Sequence, residues 1–262
     1  MKKILPIIVI SAFVLMIYVN YLSGAGKIND ISAGGVSGKY YTLFTPAGFT
    51  FSIWGLIYIF LLFFSMRLLW KGVRGNRNRD LNSISIYFIL SCIFNISWIY
   101  SWHYDKMALS VLLMLGLLVI LILLYQKVSD NNYPSIWAYL STYTPISLYL
   151  GWICIATVAN ISVWLTSLKW DGSPLTGAFW ASLMLIIAAL INLFILTKKQ
   201  DVVFGLVYLW AANGIFAARS IEAADESLWI SRFTIAGMLI VLLGILYTGY
   251  IKLRKNRIGI SS

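Results

Sequence analysis

The residues best suited to bind a small molecule are aromatic side chains and asparagines that recur at helical spacing within long apolar segments. Side chains three, four or seven positions apart lie on one face of a helix. Three such faces occur: Phe51, Trp54 and Tyr58; Asn95 and Trp98; and Tyr149, Trp152, Ala156 and Asn160. Flat apolar rings combined with a few amide groups suit the recognition of a large planar ligand. These faces therefore indicate binding chemistry.

A second interpretation is that the same faces only pack helices against one another. Spacing alone leaves the two interpretations open. In both, an asparagine inside a membrane is costly unless it finds a polar partner. We therefore expect four asparagines to face the interior of the bundle: Asn95, Asn160, Asn192 and Asn213.

Sequence patterns typical of covalent or metal-dependent catalysis are missing, so we predict no catalytic residues, no metal site and no cofactor. There is no HExxH, G-x-S-x-G, Walker A or GxGxxG motif. The single histidine, His103, stands at the end of an apolar segment and is predicted to be an interfacial residue. Glu222, Asp225 and Glu226 are predicted to form a solvated acidic loop rather than a cation site.

The composition indicates an integral membrane protein. Hydrophobic residues make up 60% of the chain, charged residues only 11%, and the mean hydropathy is +0.84. Soluble domains contain roughly 25% charged residues. The apolar runs are continuous rather than alternating, which favours helices over a β-barrel. Each run must satisfy its own backbone hydrogen bonds, because lipid offers no partners.

We predict an all-α polytopic transmembrane bundle of about eight spans. The predicted spans are 4–23, 48–66, 83–102, 107–126, 136–166, 176–197, 202–218 and 229–251. The first is interpreted as a retained helix rather than a cleaved signal peptide. The fifth is longer than one crossing needs, so part of it should tilt or lie in the interface. The seventh is short and contains Gly205 and Asn213.

The distribution of basic residues predicts that both termini lie in the cytoplasm. One side of the membrane holds most of them: Lys2, Lys3, Arg67, Lys71, Arg74, Arg77, Arg79, Lys127, Lys198, Lys199, Lys252, Arg254, Lys255 and Arg257. The other side holds Lys27, Lys39, Lys106, Lys169, Arg219 and Arg232. The positive-inside rule places the richer side in the cytoplasm. Contact with anionic lipid head groups accounts for the net charge of +11, so nucleic acid is not a predicted partner.

The tryptophans divide into two groups by their position in the predicted spans. Trp70, Trp102, Trp170 and Trp229 stand near span ends, as residues of an interfacial belt do. Trp54, Trp98, Trp152 and Trp210 lie deeper and are not explained by a belt. The longest loop, 24–45, is rich in glycine and predicted to be flexible. Its late aromatic residues either return to the bilayer surface or fold over a cavity.

The motifs on the three aromatic faces resemble those of the TspO/MBR family, the tryptophan-rich sensory or translocator proteins. Phe51 to Tyr58 resembles the second-helix signature of that family. Asn95 to Trp98 resembles its third-helix Asn-x-x-Trp, and Tyr149 to Asn160 resembles its fifth-helix Tyr-x-x-Trp-x-x-Phe-Ala-x-x-Leu-Asn. The order and spacing agree, and the first five predicted spans take the five places of the family's helices.

The sequence also departs from the family pattern. The Trp-x-Pro-Pro segment before the second helix is reduced to Pro46-Ala47-Gly48-Phe49, Leu148 stands where Pro is expected, and Ile155 replaces Phe. Three further spans have no counterpart in the short family members. We therefore predict a TspO/MBR-like five-helix part at 1–168 and an additional three-helix part at 169–262 that packs on it.

The resemblance implies a multi-pass protein of the bacterial inner membrane that binds porphyrin-like or other hydrophobic small molecules as a receptor or translocator, with stress-linked regulation. Its expected partners are that ligand and the lipid bilayer, and a homodimer stays open. The ligand-binding residues would be Phe51, Trp54, Tyr58, Asn95, Trp98, Tyr149, Trp152, Ala156 and Asn160. The alternatives are an enzyme that degrades a bound pigment and a scaffold subunit that binds no small molecule.

Overall fold

The computed structural model describes residues 4–74, 79–129 and 133–257, and within these ranges the chain is helical and contains no strand. The long helices are α1 (Leu5–Gly24), α3 (Ile53–Val73), α4 (Arg79–His103), α5 (Met107–Ser129), α7 (Tyr143–Ser167), α8 (Gly177–Lys199), α9 (Val202–Ser220) and α10 (Asp225–Arg257). Two short helices are α2 (Ala33–Gly38) and α6 (Ile136–Leu140), and a 3₁₀ turn, Gly48–Ser52, leads into α3. Lys2, Lys3 and Arg77 lie outside the described residues.

The described helices include eight that are long and apolar enough to cross a membrane. The all-α membrane bundle predicted from the apolar runs is thereby confirmed. The short seventh span is a helix of 19 residues with a mean hydropathy of 1.5 in its most apolar part. It begins at an N-cap, because the side chain of Asp201 accepts a hydrogen bond from the amide of Phe204 at 3.1 Å.

The long fifth span is interrupted at Ser141 and Thr142, between α6 and α7. Pro145 explains the interruption. In an unbroken helix its ring would collide with the carbonyl of Ser141, four residues earlier, and its missing N–H would leave that carbonyl without a donor. The long fifth span therefore consists of a short helix, α6, followed by a full-length one, α7.

The chain forms two compact units. The first contains Met1–Tyr41 and Phe51–Trp170, and the second contains Thr42–Thr50 and Asp171–Ser262. In the first unit the spanning helices form a closed ring in which α1, α3, α7, α5 and α4 follow one another as neighbours. The interior of this ring receives side chains from every one of these helices.

The second unit packs α8, α9 and α10 against one another in pairs. The segment 42–50 joins them, since the amide of Ala47 donates to the carbonyl of Gly214 at 2.9 Å. The indole Nε1 of Trp210 also donates to the carbonyl of Thr50 at 2.9 Å. Trp210 and Thr50 are separated by 160 residues in the sequence. The two bonds therefore explain why a segment that precedes α3 belongs to the same compact unit as helices much later in the chain.

The expectation that Asn213 faces the bundle is wrong, because its side chain is exposed. The buried face of α9 is made by small and aromatic residues, among them Tyr208, Ala211 and Ala212. Gly214 adjoins segment 42–50 so closely that a Cβ atom there would overlap Thr50. Close approach of small residues thus sets the orientation of α9, and it turns Asn213 outward. Asn95, Asn160 and Asn192 are buried as expected.

Candidate ligand site

The aromatic faces of α3, α4 and α7 meet inside the five-helix ring of the first unit, with Trp54 at their centre. The ring of Trp54 stacks on Tyr58 with a centroid distance of 5.5 Å, and it lies 6.4 Å from Trp98 at an interplanar angle of 30°. Its edge contacts are to Tyr149 at 5.9 Å and to Trp152 at 6.1 Å. Trp54 therefore touches rings from all three helices.

Phe51 extends this cluster on one side, since its ring meets Trp152 edge-on at 6.1 Å. Trp102 extends it on the other, stacked on Trp98 at 6.0 Å. We name the set of Phe51, Trp54, Tyr58, Trp98, Trp102, Tyr149 and Trp152 the aromatic cluster. Aromatic pairs at these separations contribute about 0.5–1.5 kcal/mol beyond the burial of their area. The cluster is consequently a source of packing energy as well as a candidate binding surface.

A chain of hydrogen bonds runs beside the aromatic cluster. Asn95 donates through Nδ2 to the hydroxyl of Tyr149 at 3.1 Å, and its Oδ1 accepts from Nδ2 of Asn20 at 2.7 Å. The hydroxyl of Tyr58 donates in turn to Oδ1 of Asn20. Asn20 also donates to the carbonyl of Met16 at 2.8 Å. These hydrogen bonds thus join α1, α3, α4 and α7 through the side chains of Asn20 and Asn95.

Asn20 is the site residue that the sequence patterns missed. It lies in the first apolar span, which carries none of the three aromatic faces described above. The signal was nevertheless present, because an asparagine within a membrane span needs a polar partner. The same reasoning that selected Asn95 would have selected Asn20.

Asn160 makes a second polar link, between α4, α5 and α7. Its Oδ1 accepts from the indole Nε1 of Trp98 at 2.7 Å, and its Nδ2 donates to Oγ of Ser110 at 2.8 Å. Ala156 lies half-buried one turn before it. The predicted amides are thus engaged in holding helices together, and a ligand would have to compete for them.

Trp152 differs from Trp98 in this respect. Its side chain is only 2% exposed, yet its indole Nε1 has no hydrogen-bond acceptor within the part of the chain that the structure describes. A buried donor left unpaired costs about 1–3 kcal/mol. Among the described residues, the aromatic cluster therefore contains a buried donor, Nε1 of Trp152, that is unpaired between flat apolar surfaces.

Two residues at the end of α4 are buried rather than interfacial, contrary to prediction. Trp102 is 5% exposed and donates through Nε1 to the carbonyl of Ala33 at 3.0 Å. His103 is fully buried. Its Nδ1 donates to the carbonyl of Ile99 at 2.8 Å, and its Nε2 lies 3.1 Å from the hydroxyl oxygen of Ser23. These two contacts hold the imidazole in place between α1 and α4.

The loop between α1 and α3 explains this burial. Its residues 33–38 form α2 rather than a flexible stretch, and Asn29 donates to the carbonyl of His103 at 2.8 Å. The ammonium of Lys39 pairs with Asp105 at 2.8 Å. Burial of the Tyr40 phenol, together with the nearby Asp105 carboxylate, raises the pKa of Tyr40. The loop thus covers the end of α4.

A ring of five apolar helices around an interior of tryptophans, tyrosines and asparagines defines a polytopic membrane protein with an intramembrane aromatic cluster. The sequence model of the TSPO-like protein family matches residues 6–247. The chain therefore belongs to the TSPO-like protein family, and the resemblance found in the motifs is confirmed. No curated protein and no solved structure matches it significantly. The match includes α8, α9 and most of α10, so the three further helices fall within the family's own sequence pattern.

Proposed function

We propose that this protein is a membrane receptor or translocator that binds porphyrin-like or other planar hydrophobic molecules at the aromatic cluster, in a bacterial inner membrane with stress-linked regulation. The observation that carries the proposal is the unpaired indole donor of Trp152 among aromatic faces. A planar molecule with a carbonyl or carboxylate at its edge would supply both the missing acceptor and a matching apolar surface. Membership of the TSPO-like family supports the same class of protein.

The rings of the aromatic cluster contact one another directly, so a ligand can enter only if they move. A planar ligand between Trp54 and Trp98 would need its own plane about 3.5 Å from each ring, hence a separation of roughly 7 Å between parallel planes. The two centroids are 6.4 Å apart. Trp54 is half-buried, whereas Trp98 is held by Asn160. We therefore expect Trp54 to be the ring that swings aside when the ligand enters.

The test uses purified full-length protein and protoporphyrin IX, with binding followed by the absorbance of the porphyrin. Trp152→Phe keeps an aromatic ring but removes the donor, and we expect it to weaken binding about tenfold, as loss of a charge-assisted hydrogen bond would. Trp137→Phe is the matched control, because Trp137 is 76% exposed on α6. Asn95→Ala should change the choice of ligand more than the affinity, since it removes little area.

The outcomes separate the competing functions. Equal binding by the parent and by Trp152→Phe would place the ligand elsewhere. Absence of tetrapyrrole binding by the parent would favour the scaffold interpretation or a different apolar ligand. Appearance of a porphyrin breakdown product in the presence of light and oxygen would favour the pigment-degrading enzyme.

A further inference from the structure

An open cleft of about 580 Å³ lies between the N-terminal turns of α8 and α10 in the second unit. It is separate in sequence from the aromatic cluster. Its lining consists of Thr176, Ala178, Phe179, Ser182, Leu183, Ile186, Asp225, Glu226, Trp229 and Phe233. Most of these side chains are apolar, and three are aromatic. The cleft thus has the size and the lining of a small-molecule site.

The charges of the cleft are concentrated at one end and have one sign. Asp225 and Glu226 stand in the first turn of α10, and both are exposed. None of the described residues that line the cleft is a lysine or an arginine. Of the basic residues nearby in sequence, Arg219 pairs with Glu222 at 3.2 Å, and Arg232 is exposed on α10 without lining the cleft.

Helix dipoles reduce this negative charge but do not cancel it. Acidic residues in a first turn complement the partial positive charge of about one half at a helix N-terminus. The cleft adjoins two N-termini, those of α8 and α10. At α8 the hydroxyl of Thr176 already accepts a hydrogen bond from the amide of Phe179 at 3.2 Å. Two carboxylates against two half charges leave a net charge of about −1.

The length of the cleft suits a molecule that enters it from one leaflet of the bilayer. The lining residues of α8 run from Thr176 to Ile186, which spans roughly 15 Å at 1.5 Å per residue. That length is about half of the 30 Å hydrocarbon core. The carboxylates stand at the end where α8 and α10 begin, which the predicted topology places on the outer side. The other end is lined by Leu183, Ile186 and Phe233.

We propose that this cleft binds a hydrophobic organic cation, with its positive charge near Asp225 and Glu226 and its apolar body against Phe179, Trp229 and Phe233. Aromatic faces attract cations in addition to offering apolar area. A phospholipid with an amine head group is a less suitable occupant, because its phosphate would find no basic side chain among the described lining residues. The occupant is therefore a free cation rather than a lipid.

The experiment measures saturable binding of radiolabelled tetraphenylphosphonium to the full-length protein in nanodiscs of phosphatidylcholine. Tetraphenylborate, of the same shape and opposite charge, is the matched competitor. We expect Asp225→Asn combined with Glu226→Gln to weaken binding of the cation about tenfold, since each exposed ion pair contributes modestly. Ile186→Trp should abolish binding by filling the cleft. Asp171→Asn, which removes an exposed carboxylate outside the lining, should leave binding unchanged.

Competition by tetraphenylborate as strong as that by the unlabelled cation would overturn the proposal. So would unaltered binding by the double charge variant, whose substituted side chains are exposed and do not threaten folding. Absence of saturable binding by the parent protein would also overturn the proposal. Displacement of the probe by phosphatidylethanolamine would overturn the assignment to a free cation. Trp152→Phe should bind the probe normally, so this result is independent of the porphyrin experiment.

Discussion

The indole Nε1 of Trp98 donates to Oδ1 of Asn160 at 2.7 Å, and this bond fixes α4 to α7 inside the ring of helices. Trp98→Phe would keep most of the aromatic surface of this side chain while leaving Oδ1 of Asn160 without its donor. We expect the free energy of unfolding to fall by about 1 kcal/mol, within the range measured for hydrogen bonds between membrane helices. Unfolding by SDS in mixed micelles measures it. Trp137→Phe, at an exposed position, should produce no change.

Trp152→Phe should have the opposite effect on the unliganded protein. It removes a buried donor that lacks an acceptor among the described residues, so no hydrogen bond is lost and a desolvation cost is relieved. We expect the free energy of unfolding to stay constant or rise by up to about 1 kcal/mol, in the same SDS assay. A loss as large as that of Trp98→Phe would mean that Trp152 already has a partner, such as an ordered water.

Asn95 and Tyr149 should behave as a coupled pair. Asn95→Ala and Tyr149→Phe each break the hydrogen bond of 3.1 Å between them, so the second substitution should cost less in the presence of the first. We expect a coupling energy of about 0.5–1.5 kcal/mol in a double-mutant cycle. Asn95→Ala combined with Tyr208→Phe is the control. Tyr208 bonds to Leu185 in the second unit, and its effect should be additive.

Gly214→Ala should destabilise the second unit. A Cβ atom at this position would overlap Oγ1 of Thr50 and lie 2.8 Å from its Cγ2. We expect a loss of about 1–3 kcal/mol, as for other substitutions that overfill a packed interface. Thr50→Ala removes both of these atoms and should restore part of the loss. Thermal unfolding, monitored by detergent extraction, measures this loss. If Gly214→Ala had no effect on stability in this assay, segment 42–50 would not be packed against α9 as described.

Membrane topology is tested by reporters fused after Ser262. The distribution of lysine and arginine predicts that a reporter active only in the cytoplasm works there, while alkaline phosphatase, which needs an oxidising compartment, does not. The converse result would require either an odd number of spans or the opposite orientation of the whole bundle. Fusions within the loop between α7 and α8 should show the opposite pattern and serve as the control.

Local periodicity was sufficient to predict which side chains share a face, and the helices then brought those faces together. The contacts of Trp54 with Trp98, Tyr149 and Trp152 follow from three faces that were each visible at helical spacing. The partners themselves were not predictable, because pairing is a tertiary property. Asn160 accepts from Trp98 rather than from a residue of its own helix, and no spacing rule indicates such a choice.

The errors have two physical causes. Asn213 was assigned to the interior on the cost of an amide in lipid, but the close approach that Gly214 permits outweighed that cost. Trp102 and His103 were assigned to the interface because they stand at a helix end. Their burial depends on how the loop before α3 folds, and a glycine-rich loop gives no periodic signal from which its path can be predicted.

The place of segment 42–50 beside α9 sets an order of events during synthesis. The ribosome completes Thr50 160 residues before it reaches Trp210, whose indole will bind the carbonyl of Thr50. At roughly 5–20 residues per second, that interval is about 8–30 s. During this time segment 42–50, which leads into α3, has been synthesised, but α9, against which it packs, has not. A chain that stalls or is truncated before α9 would therefore leave segment 42–50 without the helix that satisfies its backbone carbonyl at Thr50.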